Sequence, residues 1–338
     1  MPRFEPALCP FSACPSRHGQ APFRCHRAGF FSRLVDGRRV QRFRCRACKR
    51  RFSVQTFRLD YRLHKPQLTA LVFELFVSKT TMRQIARVVG CRRRLVEHRL
   101  RLLAGHARDF HRRQLARAQA RGGVTGTFQL DELETFETDR RLMPVTVPVL
   151  IERRSYFLLH VDTAPLGARG GLSPAKRKQK EALEREHGKR RSGSRRAVER
   201  TLSVLRDLLP TADLLNLQTD RKSSYRSLVR QLFAGRLGSH VRESSKRARD
   251  YGNVLFPINH TLAMMRDGIS RLVRRSWAAS KKRSRLELHL WIWAVYRNYI
   301  RGVTNVEPEV TPAMSIGVES RPWRRQELLR WRVFHQDQ

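Results

Sequence analysis

Acidic residues are the scarce class in this chain. Its 338 residues include 29 Asp+Glu against 70 Lys+Arg, a formal net charge of +41. Folding gains nothing from self-repulsion on that scale, so the balance argues against a merely soluble basic surface. It points to a polyanionic partner, and nucleic acid fits best. Long apolar runs are missing too. The most apolar stretch, "LHLWIWAVY" (288–296), falls short of the roughly 20 residues a membrane-spanning helix needs, so no membrane partner is expected. The opening "MPRFEPALCP" lacks the apolar core of a secretory signal, so the expected compartment is the cytoplasm, beside the nucleoid. Hydrophobic residues still make up 40%, which is enough for a real core and excludes a disordered tail. The length suits about two or three domains.

Cysteine is sparse but patterned. In a reducing compartment the six cysteines read as metal ligands rather than disulfides. Cys45 and Cys48 form C-x-x-C, and Cys9 and Cys14 form C-x4-C. Two close pairs of thiolates can close a tetrahedral Zn²⁺ site. Between them lie the alternating "RVQRF" and a turn at Asp36-Gly37, the marks of a hairpin. The layout is that of a zinc ribbon, in which the metal supplies the folding energy. Cys25 is an alternative to Cys14, with His18 and His26 as further competitors. Cys91 reads as a buried small residue. Arg42, Arg44, Arg46, Lys49, Arg50 and Arg51 surround the second pair, so the ribbon reads as facing DNA rather than as a redox site.

A helix-turn-helix is expected next. Leu68, Leu71, Val72, Leu75 and Phe76 would form the inner face of one helix. Thr80 or Thr81 would cap a second helix with Ile85, Ala86 and Val89 inward, and Gly90 would supply the turn. In the third, Leu95, Val96, Leu100 and Leu103 face inward, which leaves Arg92, Arg93 and Arg94 at the helix start. That end of a recognition helix enters the major groove, where arginine contacts guanine edges or phosphates. The blander alternative is a three-helix pack with a solvated basic face.

The few acids cluster. "GTFQLDELETFE" (126–137) reads as a strand bearing Asp131, Glu132, Glu134 and Glu137. Two more strands follow, antiparallel, with a hairpin at Arg153-Arg154. A basic, solvated insertion comes next, then an amphipathic helix with Val198, Leu202, Leu205 and Leu209 on one face, stopped by Pro210. "ADLLNLQTD" (212–220) is a strand ending in Asp220. Two strands carrying aspartates, one reached through a crossover helix, suggest an RNase H-like mixed sheet. Side by side, Asp131 and Asp220 could hold two Mg²⁺ or Mn²⁺ ions, one activating the attacking oxygen and one stabilising the leaving oxygen of a phosphodiester. The bland alternative makes Asp220 a turn residue and Asp131 a surface charge.

With "LDELETF", "LQTDRKSSY" and the tail "INHTLAMMRDGISRLVRRSWAASKKRSRLELHLWIWAVYRN" (258–298), the chain resembles the DDE transposases of small bacterial insertion sequences. Asp131 matches the aspartate of a D-E-x-x-x-F context and Asp220 that of a T-D-x-x-x-x-Y context. The resemblance spans roughly residues 9 to 301. It implies metal-dependent DNA cleavage and strand transfer at the element's ends, and a homo-oligomer on double-stranded DNA to pair two ends. Where the family places its third acid, a glutamate, this chain has Asn259, followed by His260. Asn259 can ligate through its carbonyl oxygen without charge. Asp267, about two helical turns on, is the other candidate, with Glu243 and Glu287 behind it. Arg266, Arg271, Arg274, Arg275, Lys281 and Lys282 would grip DNA, and Trp277 would stack on a base or simply pack.

The expected architecture is therefore an α+β multidomain chain: a zinc ribbon (1–58), a helix-turn-helix bundle (59–122), an RNase H-like mixed α/β catalytic domain (123–305) with a basic insertion near 166–194, and a C-terminal tail (306–338). The implied cofactors are structural Zn²⁺ and catalytic Mg²⁺ or Mn²⁺. A catalytically decayed, sequence-specific DNA-binding regulator is the alternative function. An RNA-binding factor would fit the charge but leave the acidic strands unexplained.

Overall fold

The computed structural model describes residues 4–273 and 278–331. Arg274, Arg275 and Trp277 lie outside the described residues. The chain divides into two compact units, Met1–Leu71 with Arg324–Gln338, and Val72–Trp323. The helical segment and the large sheet thus share one unit, and the compact units do not part at the expected 58/59 and 122/123.

The first unit holds a three-stranded antiparallel sheet of β1 (Cys25–Ser32), β2 (Arg39–Cys45) and β3 (Arg51–Ser53). The hairpin turns at Asp36-Gly37 as expected. Gly37 takes φ +65, a conformation that costs glycine no Cβ clash, and its N–H donates to the Arg33 carbonyl at 2.8 Å. Phe43 and Phe52 face each other across β2 and β3, ring centroids 5.6 Å apart, and pack with Phe57 around the cysteine thiols.

Helix α1 (Leu68–Val77) is followed in the second unit by α2 (Met82–Val88) and α3 (Arg93–Ala120). Thr81, not Thr80, caps α2. Its hydroxyl accepts the Gln84 N–H while the Gln84 side chain accepts the Thr81 N–H, so two donors at the helix start are satisfied together. Gly90, at φ +64, makes the turn into α3. The buried face of α1 differs from the expected one. Val72, Phe73, Phe76 and Val77 are inside and Leu71 is exposed. The stripe is rotated by about one residue because Phe73 and Val77, larger together than Leu71 alone, take the core.

The six-stranded sheet contains β4 (Thr127–Phe136), β5 (Pro144–Glu152), β6 (Leu158–Val161), β7 (Ala164–Pro165), β8 (Leu215–Asp220) and β9 (Leu237–Glu243). The order is β6-β5-β4-β8-β9, with β7 paired to β5. β5 runs antiparallel to β4 and β6, whereas β8 is parallel to both β4 and β9. The three expected antiparallel strands are present, and the two aspartate-bearing strands are neighbours. Between them in sequence lie α4 (Pro174–His187), which carries no buried residue and occupies the basic insertion, and the crossover helix α5 (Ser194–Leu208). Val198, Leu202 and Leu205 of α5 are fully buried, as its periodicity requires. Helix α6 (Ser223–Leu232) joins β8 to β9.

Side chains alternate between the faces of a strand. Leu133, Val145, Val147, Val149 and Ile151 therefore share one face, where they meet α7 (Phe256–Gly268) through Ile258, Leu262 and Met265. Helix α8 (Arg283–Tyr299) packs there too, through Leu286, Leu290 and Trp293. Its other flank reaches α3, with Tyr299 edge-on to Phe110 at 4.9 Å between centroids. Enclosure on both sides explains why "LHLWIWAVY" is so apolar. Among the described residues no helix is long and apolar enough to cross a membrane.

Leu133 is 1% exposed in this core. Replacing it with alanine is expected to cost roughly 2–5 kcal/mol, read as a lowered denaturant midpoint. Leu214→Ala, at an exposed position before β8, should stay within about 0.5 kcal/mol of wild type.

Candidate functional site

The first unit gathers four cysteines. Cys9 and Cys14 come from the segment before β1, Cys45 ends β2, and Cys48 sits in the turn toward β3. Their sulfurs all lie within 4.8 Å of one another. Cys9 Sγ is 3.7 Å from Cys48 Sγ, and Cys14 Sγ is 3.7 Å from Cys45 Sγ. Thiolates bound tetrahedrally at ~2.3 Å from Zn²⁺ stand about 3.8 Å apart, so donor chemistry and spacing both fit a closed structural zinc site. Cys25, His18 and His26 are not in the group. Cys25 lies opposite Cys45 in the β1–β2 pairing, and His18 Nε2 is engaged at 2.8 Å with the Ser12 carbonyl. Burial pushes the Cys48 thiol up. Desolvation also opposes ionisation of Cys14, but hydrogen bonds from the Ser16 hydroxyl and backbone outweigh it and bring that thiol down to about 6.

The second unit builds a cleft of ≈ 260 Å³ at the ends of β4 and β8. The parallel pairing of these strands runs as far as Leu130 opposite Thr219. The next residue on each strand is an aspartate, so Asp131 and Asp220 stand side by side on the face that α7 covers. Burial pushes the Asp131 carboxyl up to about 6, and the negative charge of Asp220 adds to the shift. The Glu132 N–H, donating to Asp131 at 2.7 Å, and the Arg249 guanidinium oppose it. Asp220 accepts the Lys222 N–H at 2.9 Å. Arg249, Asn253, Asn259 and Arg266 complete the lining that bears on phosphate or metal chemistry.

A buried glutamine holds α7 over these acids. Gln129, two residues before Asp131 and so on the same face, donates to Gln218 at 2.7 Å and to the Val254 carbonyl at 2.7 Å. Its oxygen accepts the Ile258 N–H at 2.9 Å. This fixes the first turn of α7 and brings Asn259 to the cleft. Seven residues along a helix is nearly two full turns, so Arg266 falls on the same side as Asn259. Asp267 is rotated about 80° from Asn259 by the same geometry. Its side chain is exposed and paired with Lys79 at 3.2 Å, away from the cleft. The expectation that Asp267 shares the Asn259 face is therefore corrected. Glu243, the register partner of Asp220, accepts the Ser244 N–H at 2.8 Å and Arg247 Nη1 at 2.7 Å. Glu287 is not among the cleft residues.

Glu132 points the other way and was not legible as more than one of a cluster. Its carboxylate accepts from Thr146 at 2.8 Å, Ser194 at 2.7 Å, Tyr225 at 2.9 Å and the Lys222 ammonium. Desolvation works against its charge, but Lys222 and the hydroxyls outweigh it and hold the carboxyl below its ordinary value. The network ties β4 to the starts of α5 and α6. Lys222 and Tyr225, three residues apart, offered a sequence signal for it, since residues at that spacing share a helix side. Glu134 is ion-paired with Arg169 at 2.6 Å, and Glu137 is buried against Arg190 at 2.9 Å. Glu132 and Glu134 also border the cleft, but their carboxylates are engaged elsewhere, and of the four acids expected to cluster Asp131 alone lies on the strand face of Asp220.

The arginines sort by environment. Arg92, Arg93 and Arg94 are exposed at the start of α3. Arg271 is half-buried, with Nη2 3.5 Å from Met82 Sδ, and desolvation brings its guanidinium down to about 10. It packs beneath α2 and does not line the cleft.

Two outcomes are expected. Chelation of the ribbon metal, or Cys45→Ser, should abolish amide-exchange protection in β2, and Zn²⁺ but not Mg²⁺ should restore it to the chelated wild type. With the ribbon Zn²⁺ kept and no Mg²⁺ or Mn²⁺ present, Asp131→Asn should raise stability by about 3 kcal/mol above pH 6, because the folded state no longer holds a disfavoured charge. That gain should shrink as pH falls and vanish near the ordinary aspartate value of 3.8, where the wild-type carboxyl is protonated in both states. Thermal melts across pH read it.

No protein-family model matches the chain, and no curated protein matches it. Solved structures similar to the chain include two of one transposase. One is the Mos1 transposase catalytic domain with raltegravir and Mg, 13% identical over 58% of this chain and 92% of that one, with a TM-score of 0.22. The other is the catalytic domain of Mos1 mariner transposase, 13% identical over 59% of this chain and 90% of that one, with a TM-score of 0.22.

Proposed function

We propose that the chain is a metal-dependent DNA strand-cleaving and strand-transfer enzyme of the DDE transposase kind, built on an RNase H-like sheet. The observation that carries this reading is the side-by-side placement of Asp131 and Asp220 on adjoining parallel strands, under a helix that offers Asn259 and Arg266. The mixed order β6-β5-β4-β8-β9, with one antiparallel strand inside it, supports the RNase H-like assignment.

Asp131, Asp220 and the Asn259 carbonyl form an all-oxygen donor set suited to Mg²⁺ or Mn²⁺. A bound divalent ion would neutralise charge at the scissile phosphate. The protein's own part is positional. Arg249 and Arg266 hold phosphate oxygens. Gln129 keeps α7, and with it Asn259, at a fixed distance from the two strands. A divalent cation held by Asp131 and Asp220 would offset the like-charge repulsion that helps raise the Asp131 carboxyl. Attack by a water or a 3′-hydroxyl on phosphorus needs in-line placement rather than a protein nucleophile. The ribbon and Arg92–Arg94 read the DNA ends, and joining two ends calls for two copies of the chain.

One observation favours a second reading. The third donor is a neutral amide, and Asp267 is turned away. A DNA-binding regulator that keeps the fold without the chemistry fits that fact.

The test incubates the purified protein with its flanking DNA and Mg²⁺ or Mn²⁺. Metal-dependent cleaved and joined strands are expected, reduced about 100-fold or more in Asp131→Asn and Asp220→Asn. Asn259→Ala should reduce them by at least roughly 10-fold. Tight binding by wild type without any product, at verified ends, would establish the regulator instead.

A further inference from the structure

Beside the cleft runs a row of rings that the cleavage reading does not use. Leu255 and Asn259 face the cleft. Phe256 and His260 follow each by one residue, so they stand about 100° further round α7, on its neighbouring face. Their rings lie 5.9 Å apart and nearly parallel, at 26°. Tyr156, from the β5–β6 turn, meets His260 edge-on at 5.7 Å. At the other end Tyr251 lies over Phe256 with centroids 4.3 Å apart and planes 32° from parallel.

Tyr251 is the anomaly. It is 90% exposed. A phenol ring that open gains almost nothing from burial, and it covers Phe256 with one face only. The other face is presented to solvent. Around the row most of the charge is positive, with Asp250 standing between Arg249 and Tyr251 and Arg247 paired with Glu243 at 2.7 Å. Arg247 and Arg249 precede Tyr251, and the exposed Arg153 and Arg154 precede Tyr156. Flat uncharged rings flanked by guanidinium groups suit a nucleotide, with base on ring and phosphate on arginine. Bases in an intact duplex are already stacked on each other and cannot reach such a ring. An unpaired base can.

We propose that Tyr251, backed by Phe256 at the edge of the acid cleft, is the stacking platform for one unpaired base of the DNA strand held in that cleft. The inference rests on the cleavage reading for its location but not for its measurement. A base lifted out of the helix leaves its own phosphate accessible. The row therefore acts as a positioning element for the strand, with Arg249 shared between platform and cleft.

The experiment measures binding, with the ribbon Zn²⁺ retained and no Mg²⁺, Mn²⁺ or chelator added, of a blunt duplex and of the same duplex with a single-stranded thymine tail. A fluorescent adenine analogue placed in the tail reports stacking by quenching. Wild type is expected to prefer the tailed duplex and to quench the analogue. Tyr251→Ala should lose about tenfold in affinity for the tailed duplex, the scale of one base–ring stack, while its affinity for the blunt duplex stays unchanged. Tyr251→Phe should behave as wild type, since the ring face and not the hydroxyl makes the stack. Melting curves establish that the variants remain folded, as expected for so exposed a side chain. Wild-type affinity of Tyr251→Ala for both duplexes overturns the proposal. So does an equal loss on both, which would make Tyr251 a general contact. Tighter binding of a uracil-containing RNA tail than of the DNA tail overturns the assignment to DNA. Because binding is read without Mg²⁺ or Mn²⁺, absence of strand cutting under Mg²⁺ with the Tyr251-dependent preference intact would remove the nuclease reading and leave the platform standing.

Discussion

Two like charges standing side by side are the constraint around which the second unit is organised. Pairing β4 in parallel with β8 as far as Leu130 and Thr219 leaves the next residue of each strand as a carboxylate. That arrangement is unfavourable alone, which is why burial and Asp220 push Asp131 up to about 6. Every nearby feature answers it. The N–H groups of Glu132 and Lys222 each donate to one of the pair. Arg249 lies within electrostatic reach of Asp131. The first turn of α7 brings a helix N-terminus toward the same place, where its dipole favours negative charge.

The core explains how the strain is tolerated. Five large aliphatic side chains on one sheet face lock against α7 and α8. Gln129 adds a directional element to that otherwise non-directional packing, because three hydrogen bonds from one buried amide admit a single helix placement. Glu132 does the same on the opposite face for α5 and α6. Both are polar groups inside the fold, and both are fully partnered, which is the condition under which burial specifies geometry rather than costing stability.

Much of this was legible in the sequence, and the limits have physical causes. Cys9, Cys14, Cys45 and Cys48 were readable because metal chemistry fixes ligand type and spacing locally. The strands of Asp131 and Asp220 were readable because alternation and a crossover helix constrain topology. The inner face of α1 was misphased at Leu71, since a short helix rich in apolar residues on several sides carries little phase information. The placement of Asp267 about two turns beyond Asn259 failed for a related reason: eight residues overshoot two turns and leave a rotation of about 80°. Gln129 was beyond reach, and for Glu132 the sequence held only the Lys222/Tyr225 spacing. Their roles depend on register between segments some 90 or more residues apart in sequence, which no local pattern encodes. The net charge spoke to partners and said nothing of fold.

The alternation along β4 has a consequence for how this chain can change. Asp131 and Glu132 are adjacent in sequence yet serve opposite sides of the sheet, one open to a cleft and one sealed in a hydrogen-bonded network. Substitutions at other β4 positions leave that division intact. Removal of a single codon between Phe128 and Asp131 does not. The strand would still pair, but every later side chain would arrive on the wrong side, with the lysine-bound carboxylate thrust at the cleft and the aspartate driven under α5. The strand is thus read by count, and tolerance to drift here is expected to be far greater for spelling than for spacing.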